Sequence, residues 1–210
     1  MYNLDVASAR KADSTGQSIK EIGKYIGEFT QAKALKSKNT GAVGVEFAFK
    51  SQSGQKANLS IYTMSAKGDL YQGYDALMAI MTCMGLRSIK PIHGIATKYD
   101  FATKKEVQEE CEIFPDLCKP IGVLLETEDY LKQTGETGTR MVLKNVFRAS
   151  DEFTASEILD RKTSPELLPK FVAGLRHRPI KGVKSAQTNS HQQSPMPPSG
   201  FDQDDDSIPF

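Results

Sequence analysis

The chain has 210 residues, 39% of them apolar, and a formal net charge of +1, which bounds it to one ordinary domain with a tail or two small domains. No window approaches the roughly 18 apolar residues of a membrane-spanning helix. Three cysteines, Cys83, Cys111 and Cys118, are an odd number and argue against a disulfide framework. With no basic and apolar leader at Met1–Asp5, the expectation is a reducing, cytoplasmic setting.

The small net charge hides a polarity. All 27 basic residues precede Ala186, together with 22 of the 26 acidic ones, so the body carries +5 and the last 25 residues carry −4. Within residues 1–105 the bias is stronger, 15 basic residues against 8 acidic. A basic body suits an anionic partner, and an acidic tail suits a basic one.

Residues 1–18 are polar and read as a loose N-terminal segment. Lys24 to Leu35 (KYIGEFTQAKAL) is rich in aromatic and β-branched residues and predicts a strand. Asn39 to Gly41 predicts a turn. In AVGVEFAFKS, Val43, Val45, Phe47 and Phe49 alternate with Gly44, Glu46, Ala48 and Lys50, the period of a strand with one buried face. After the loop SQSGQ, KANLSIYTM alternates again: Ala57, Leu59 and Ile61 on one face, Lys56, Asn58, Ser60 and Tyr62 on the other. The period then changes. Tyr74, Leu77, Met78, Met81 and Met84 recur at helical spacing, with Gly85 as the stop. Residues 86–118 read as irregular, with a short acidic helix over Lys104 to Cys111. Ile121 to Asp129 and Thr139 to Arg148 predict two more strands around the turn QTGETG, followed by helical segments near Ala155 to Arg161 and Pro165 to Leu175.

The order is three strands, a helix, then two strands. That is the topology of an OB-fold-like five-stranded barrel with a helix between strands 3 and 4, in a mainly β domain over residues 19–178. From Lys184 the chain turns to SAQTNSHQQSPMPPSG. A Gln-, Ser- and Pro-rich stretch cannot bury enough apolar surface to offset its ordering entropy, so residues 179–203 are expected to be a disordered linker.

The chain closes on Asp204, Asp205, Asp206, Ser207, Ile208, Pro209 and Phe210. The aspartates alone would serve solubility, but an apolar tripeptide after them gains nothing there. As a docking peptide it makes sense: Phe210 is a rigid apolar plug, Pro209 lowers the ordering entropy, and the aspartates steer toward a basic rim. The tip resembles the C-terminal tip of bacterial single-stranded-DNA-binding proteins through Asp204, Asp205, Asp206, Ile208, Pro209 and Phe210, with Ser207 inserted before the isoleucine. Phage proteins of that function also end in acidic residues and a phenylalanine. The body lacks the bacterial family's N-terminal strand pattern and has no Trp, so the chain is most similar to a phage or prophage type carrying a bacterial-type tip. The resemblance implies an OB-fold that holds single-stranded DNA and a tip that recruits replication and recombination proteins. The tetramers of the bacterial family are not implied for so different a body.

Sequence-blind strand binding needs cations along the phosphates and aromatics under the bases. The candidates are Tyr25, Phe29, Lys33, Lys36 and Lys38 on or after the first strand, and Lys50, Lys56 and Tyr62 on the non-core faces of the next two. Arg140, Lys144 and Arg148, spaced four apart on the last strand, complete the set. Phe47 and Phe49 continue the core face and are assigned there. Cys83, His93, Cys111 and Cys118 are zinc-ligand types, but no CxxC or HxxxH spacing joins them, so neither metal nor cofactor is expected. Glu126, Glu128 and Asp129 suggest a metal-dependent nuclease, yet acids on an amphipathic strand more often face solvent. No catalytic motif is present, and the expectation is a binding protein and not an enzyme. Two other classes stay open: an adaptor that diverts host tip-binding enzymes without touching DNA, and a single-strand annealing or recombination protein.

Overall fold

The structure is a computed structural model that describes residues 18–100, 105–132 and 134–180. The N-terminal segment up to residue 17, the linker beyond residue 180 and the tip residues Asp204–Phe210 lie outside the described residues. The fold is mainly β, an antiparallel sheet curled into an open OB-like barrel.

Strands β1 (Gly23–Lys36), β2 (Val43–Ser51) and β3 (Lys56–Met64) form an antiparallel meander. The alternation read from the sequence decides which residues point inward: Val45, Phe47, Phe49, Ala57, Leu59 and Ile61 are all buried. Phe29 joins them, its ring 4.3 Å from that of Phe47. Strand β1 is long because it serves several neighbours. It pairs with β2 over Gly27–Lys36 and with β6 (Pro120–Leu131) over Gly23–Glu28. It also meets β5 (Lys105–Ile113) at Lys33. A bulge between Phe29 and Gln31 bends it where the partners change. Gly27 permits the close approach there, since a Cβ at that position would collide with the carbonyl of Lys50.

Strand β6 pairs with β7 (Thr137–Phe147). Helix α1 (Gln72–Cys83) closes one end of the barrel with Leu77, Ile80, Met81 and Cys83 buried, and packs against both β3 and β7. It stops as expected at Gly85, whose φ of +67° suits glycine. Its Tyr74, one of the residues at helical spacing, is 37% exposed. Strands β3 and β7 approach each other without forming a ladder, so the barrel stays open along that seam.

Residues 86–118 correct the sequence reading. In place of an irregular stretch with an acidic helix, they form the antiparallel hairpin of β4 (Ile92–Asp100) and β5, then a single 3-10 turn at Pro115–Leu117. Glu, Gln and Lys favour helix only weakly, and pairing with β4 overrides that preference. Beyond β7, helix α2 (Ala155–Leu159) packs against α1 and the main core, and helix α3 (Leu167–Ala173) covers the outside of β6 and β7. There Leu124, Phe147 and Leu168 make a second small core. The chain then runs beside β6, Arg178 donating its N–H to the Thr127 carbonyl at 2.8 Å and accepting from Asp129 N–H at 2.9 Å.

Candidate nucleic-acid interface

The register defines an outer sheet face. Across β1, β2 and β3 the rows run Glu28–Lys50–Lys56, Gln31–Ala48–Asn58, Lys33–Glu46–Ser60 and Leu35–Gly44–Tyr62. Between the rows' ends the floor is low, made of Gly44, Ala48 and Ser60. Gly44 has to be small, since a Cβ there would strike the Ile61 carbonyl. Lys50 and Lys56 stand directly opposite each other at one end of this face, both exposed. Tyr62, also exposed, stands at the other end.

The hairpin bounds the same face on the β1 side. The Gln31 side-chain amide donates to the Thr97 carbonyl at 3.0 Å and accepts from the Thr97 N–H at 2.8 Å. It thus meets β4 as a neighbouring strand would. Beneath it Lys33 is only 6% exposed and reaches Glu46 at 3.4 Å. The hairpin therefore borders the outer face along β1, and the low floor of β2 and β3 beside it is called the trough.

Arg140 and Lys144 sit on the seam side. A cleft of about 570 Å³ between β3, β7 and the start of α1 is lined by Ser60, Tyr62, Asp75, Arg140 and Lys144, among others. Ser60 and Tyr62 belong to the trough as well, so the two adjoin along β3. Arg140 is tethered, its guanidinium 2.6 Å from Glu128 and 5.7 Å from the centre of the Tyr130 ring. Lys144 is exposed, and no carboxylate among the described residues lies within ion-pair distance of it.

Several sequence candidates are corrected. Phe29 is 1% exposed and cannot stack a base. Lys33 is neutralised by Glu46 under the hairpin. Tyr25 is half-buried against the core edge, its hydroxyl donating to the Glu21 carbonyl at 2.9 Å; burial, then the nearby Glu21, raises its pKa. Arg148 does not share a face with Arg140 and Lys144. The register of β6 and β7 slips between Leu124 and Leu125, leaving Lys144 as the extra residue. The parity changes there, so Val146 faces the core and Arg148 follows it. Arg148 ends in an ion pair with Asp151 at 2.7 Å. Lys36 and Lys38 are exposed at the β1–β2 connection, away from the Lys50/Lys56 end.

The residues weighed for other chemistry are dispersed or engaged. Cys83 is buried, and burial pushes its thiol up to about 12. The register sets His93 and Cys111 on opposite sides of the hairpin. Among the described residues no three His, Cys, Asp or Glu side chains converge as a metal cluster. Glu126 is held by Arg178 and Glu128 by Arg140. Asp129 accepts from the Thr139 hydroxyl at 2.7 Å and lies 2.9 Å from His177; Thr139 first, and His177 after it, hold its carboxyl below the usual range.

Four exposed residues near these surfaces were not among the sequence candidates for binding. Tyr71 and Tyr74 border Tyr62, the Tyr71 N–H donating to the Thr63 carbonyl at 2.9 Å. Lys98 and Lys105 lie on the hairpin. The β-branched and aromatic run IHGIATKYD carried a strand signal for that hairpin. The chain matches no protein-family model, and comparison with curated proteins finds no similar protein. Among the described residues no helix is long and apolar enough to cross a membrane.

Proposed function

We propose that the protein binds single-stranded DNA without sequence preference, along the trough, and recruits replication or recombination enzymes through its acidic tip. One observation carries the reading: Lys50 and Lys56 oppose each other across β2 and β3 with exposed side chains. Like charges directly opposite cost stability, and Glu28 beside Lys50 makes no ion pair with it among the described residues. A phosphate between the two lysines relieves that cost. Tyr62 at the far end offers a flat ring to a base, and the small side chains between leave room for a strand. The bacterial-type tip supports the recruiting role, because a tethered peptide raises the local concentration of whatever binds it. The three free cysteines fit a cytoplasmic setting.

The test is fluorescence anisotropy of a labelled oligo-dT against a duplex control at two salt concentrations, with the wild-type chain and Lys50→Ala/Lys56→Ala. The reading expects tight, salt-sensitive binding to oligo-dT and weak binding to duplex. The double variant is expected to lower the slope of log affinity against log salt by about 0.7 per lysine. No wild-type binding to either nucleic acid overturns it and leaves the tip as the functional element.

A further inference from the structure

The β4–β5 hairpin has two chemically different sides, and the register assigns them. Ile113 pairs with the outward-facing Lys33, so the side bearing Ile113 continues the outer face of the barrel. That side carries Cys111, Glu109, Val107 and Lys105 on β5, with Ile92, Gly94, Ala96, Lys98 and Asp100 on β4, Asp100 at the register position opposite Lys105. The opposite side carries Glu106, Glu110 and Glu112, all exposed, with His93 and Ile95. The first side is partly covered: Ala96 is 1% exposed and Cys111 is half-buried, close enough to Lys33 and Glu46 to feel their charges, while Ile92 at the base is exposed. Farther out Lys98, Val107 and Lys105 are exposed on that same side. The Gln31 contact holds the Thr97 backbone against the outer face of β1, one residue before Lys98.

We propose that the hairpin is the second wall of the strand-binding trough, with Lys98 and Lys105 taking backbone phosphates across from Lys50 and Lys56. This rests on the single-stranded-DNA reading above. The hairpin's two sides differ in charge: Lys98 and Lys105 share one side with Glu109 and Asp100, and every charged residue of the other is acidic. Lys98 is restrained by Glu109 at 3.4 Å, but both side chains are about half exposed. Such a pair contributes little and yields readily to a phosphate. The outer side holds three glutamates and no lysine or arginine. A polyanion is repelled there and directed inward. Gln31 acts as a positioning residue. A two-stranded hairpin is marginal alone, and this one is fastened to β1 by the Gln31 amide and by Phe114 N–H donating to the Ala32 carbonyl at 2.8 Å.

The experiment uses the full chain and labelled oligo-dT over a salt series. Lys98→Ala/Lys105→Ala is expected to weaken binding severalfold at low salt and to lower the salt slope by about 1.4, at about 0.7 for each phosphate no longer neutralised. Glu106→Gln/Glu110→Gln/Glu112→Gln is expected to leave the slope unchanged. Gln31→Ala should speed both oligo-dT dissociation and hydrogen exchange at the Thr97 amide. Exchange across β2 and β3 in each variant confirms that the barrel is intact. If the wild type binds oligo-dT and the double lysine variant keeps its affinity and slope, the hairpin proposal falls and the function stands. If the wild type does not bind oligo-dT, the function itself falls, and the hairpin's role with it.

Discussion

Glu157 offers the most quantitative test of how the domain holds its C-terminal helices. Its carboxylate is 3% exposed and accepts four hydrogen bonds. Thr154 donates its N–H at 2.9 Å and its hydroxyl at 2.8 Å to one oxygen. Glu166 and Leu167 donate their N–H groups at 2.6 and 2.8 Å to the other. One side chain thus completes the capping box of α2 and satisfies backbone donors at the start of α3. Burial pushes its pKa up, but the Thr154, Leu167 and Glu166 N–H groups and the Thr154 hydroxyl outweigh it, and the pKa falls from 4.5 to about 2. At about 1.4 kcal/mol per unit, the charged form contributes on the order of 3 kcal/mol. The sign follows from the depressed folded-state value. The contribution is fully present above pH 4.5 and is lost as the pH falls toward 2. Glu157→Gln keeps the shape but puts a donor where one acceptor oxygen stood. At pH 7 it is expected to lower Tm by about 6–12 °C, at about 2–4 °C per kcal/mol for a chain this size. Thermal unfolding by circular dichroism at pH 7, 4 and 2.5 reads it, and the gap from wild type should narrow as the pH falls. A gap that is the same at every pH, or absent at pH 7, refutes the argument that an ionised carboxylate ties these helices.

Arg178→Ala strands Glu126, a carboxylate 1% exposed, without its guanidinium. Urea unfolding should show a loss of about 3–5 kcal/mol, partly restored by adding Glu126→Gln; a neutral single variant contradicts the pairing. Deleting residues 204–210 is expected to strengthen oligo-dT binding at low salt and to leave it unchanged at high salt, because the tail at −4 competes for a body at +5. Unchanged affinity at low salt rules that competition out.

The barrel was legible in the sequence wherever one face is buried. The alternation from Val43 to Phe49 and from Ala57 to Ile61 gives the right strands and the right inward side, because a half-buried strand has no other pattern to show. The hairpin was not legible. Neither β4 nor β5 has a fully buried side, and the charged run of β5 takes its conformation from β4. The outward placement of Lys50, Lys56 and Tyr62 was readable because they alternate with core residues on regular strands. Phe29 and Arg148 were misread for a shared reason. A bulge separates Phe29 from Lys33, and another at Lys144 separates Arg148 from Arg140, and one inserted residue puts residues of the same parity on opposite sides. Such slips leave little mark on composition or period.

Lys33 shows how a misread residue still acts on the trough. Its partner Glu46 points out of β2 in the third row of the outer face, between Ala48 and Gly44 along the strand. Left alone, that carboxylate would place a negative charge on the floor of the trough. Lys33 lies under the hairpin at 6% exposure, where water screens its charge poorly, so its neutralisation of Glu46 persists at salt concentrations that weaken exposed pairs. The floor is then electrically quiet, and the field over the trough is left to the exposed lysines at its rim. The hairpin therefore does two things at once. It covers the lysine that silences Glu46, and it carries Lys98 and Lys105 on the side that continues the outer face.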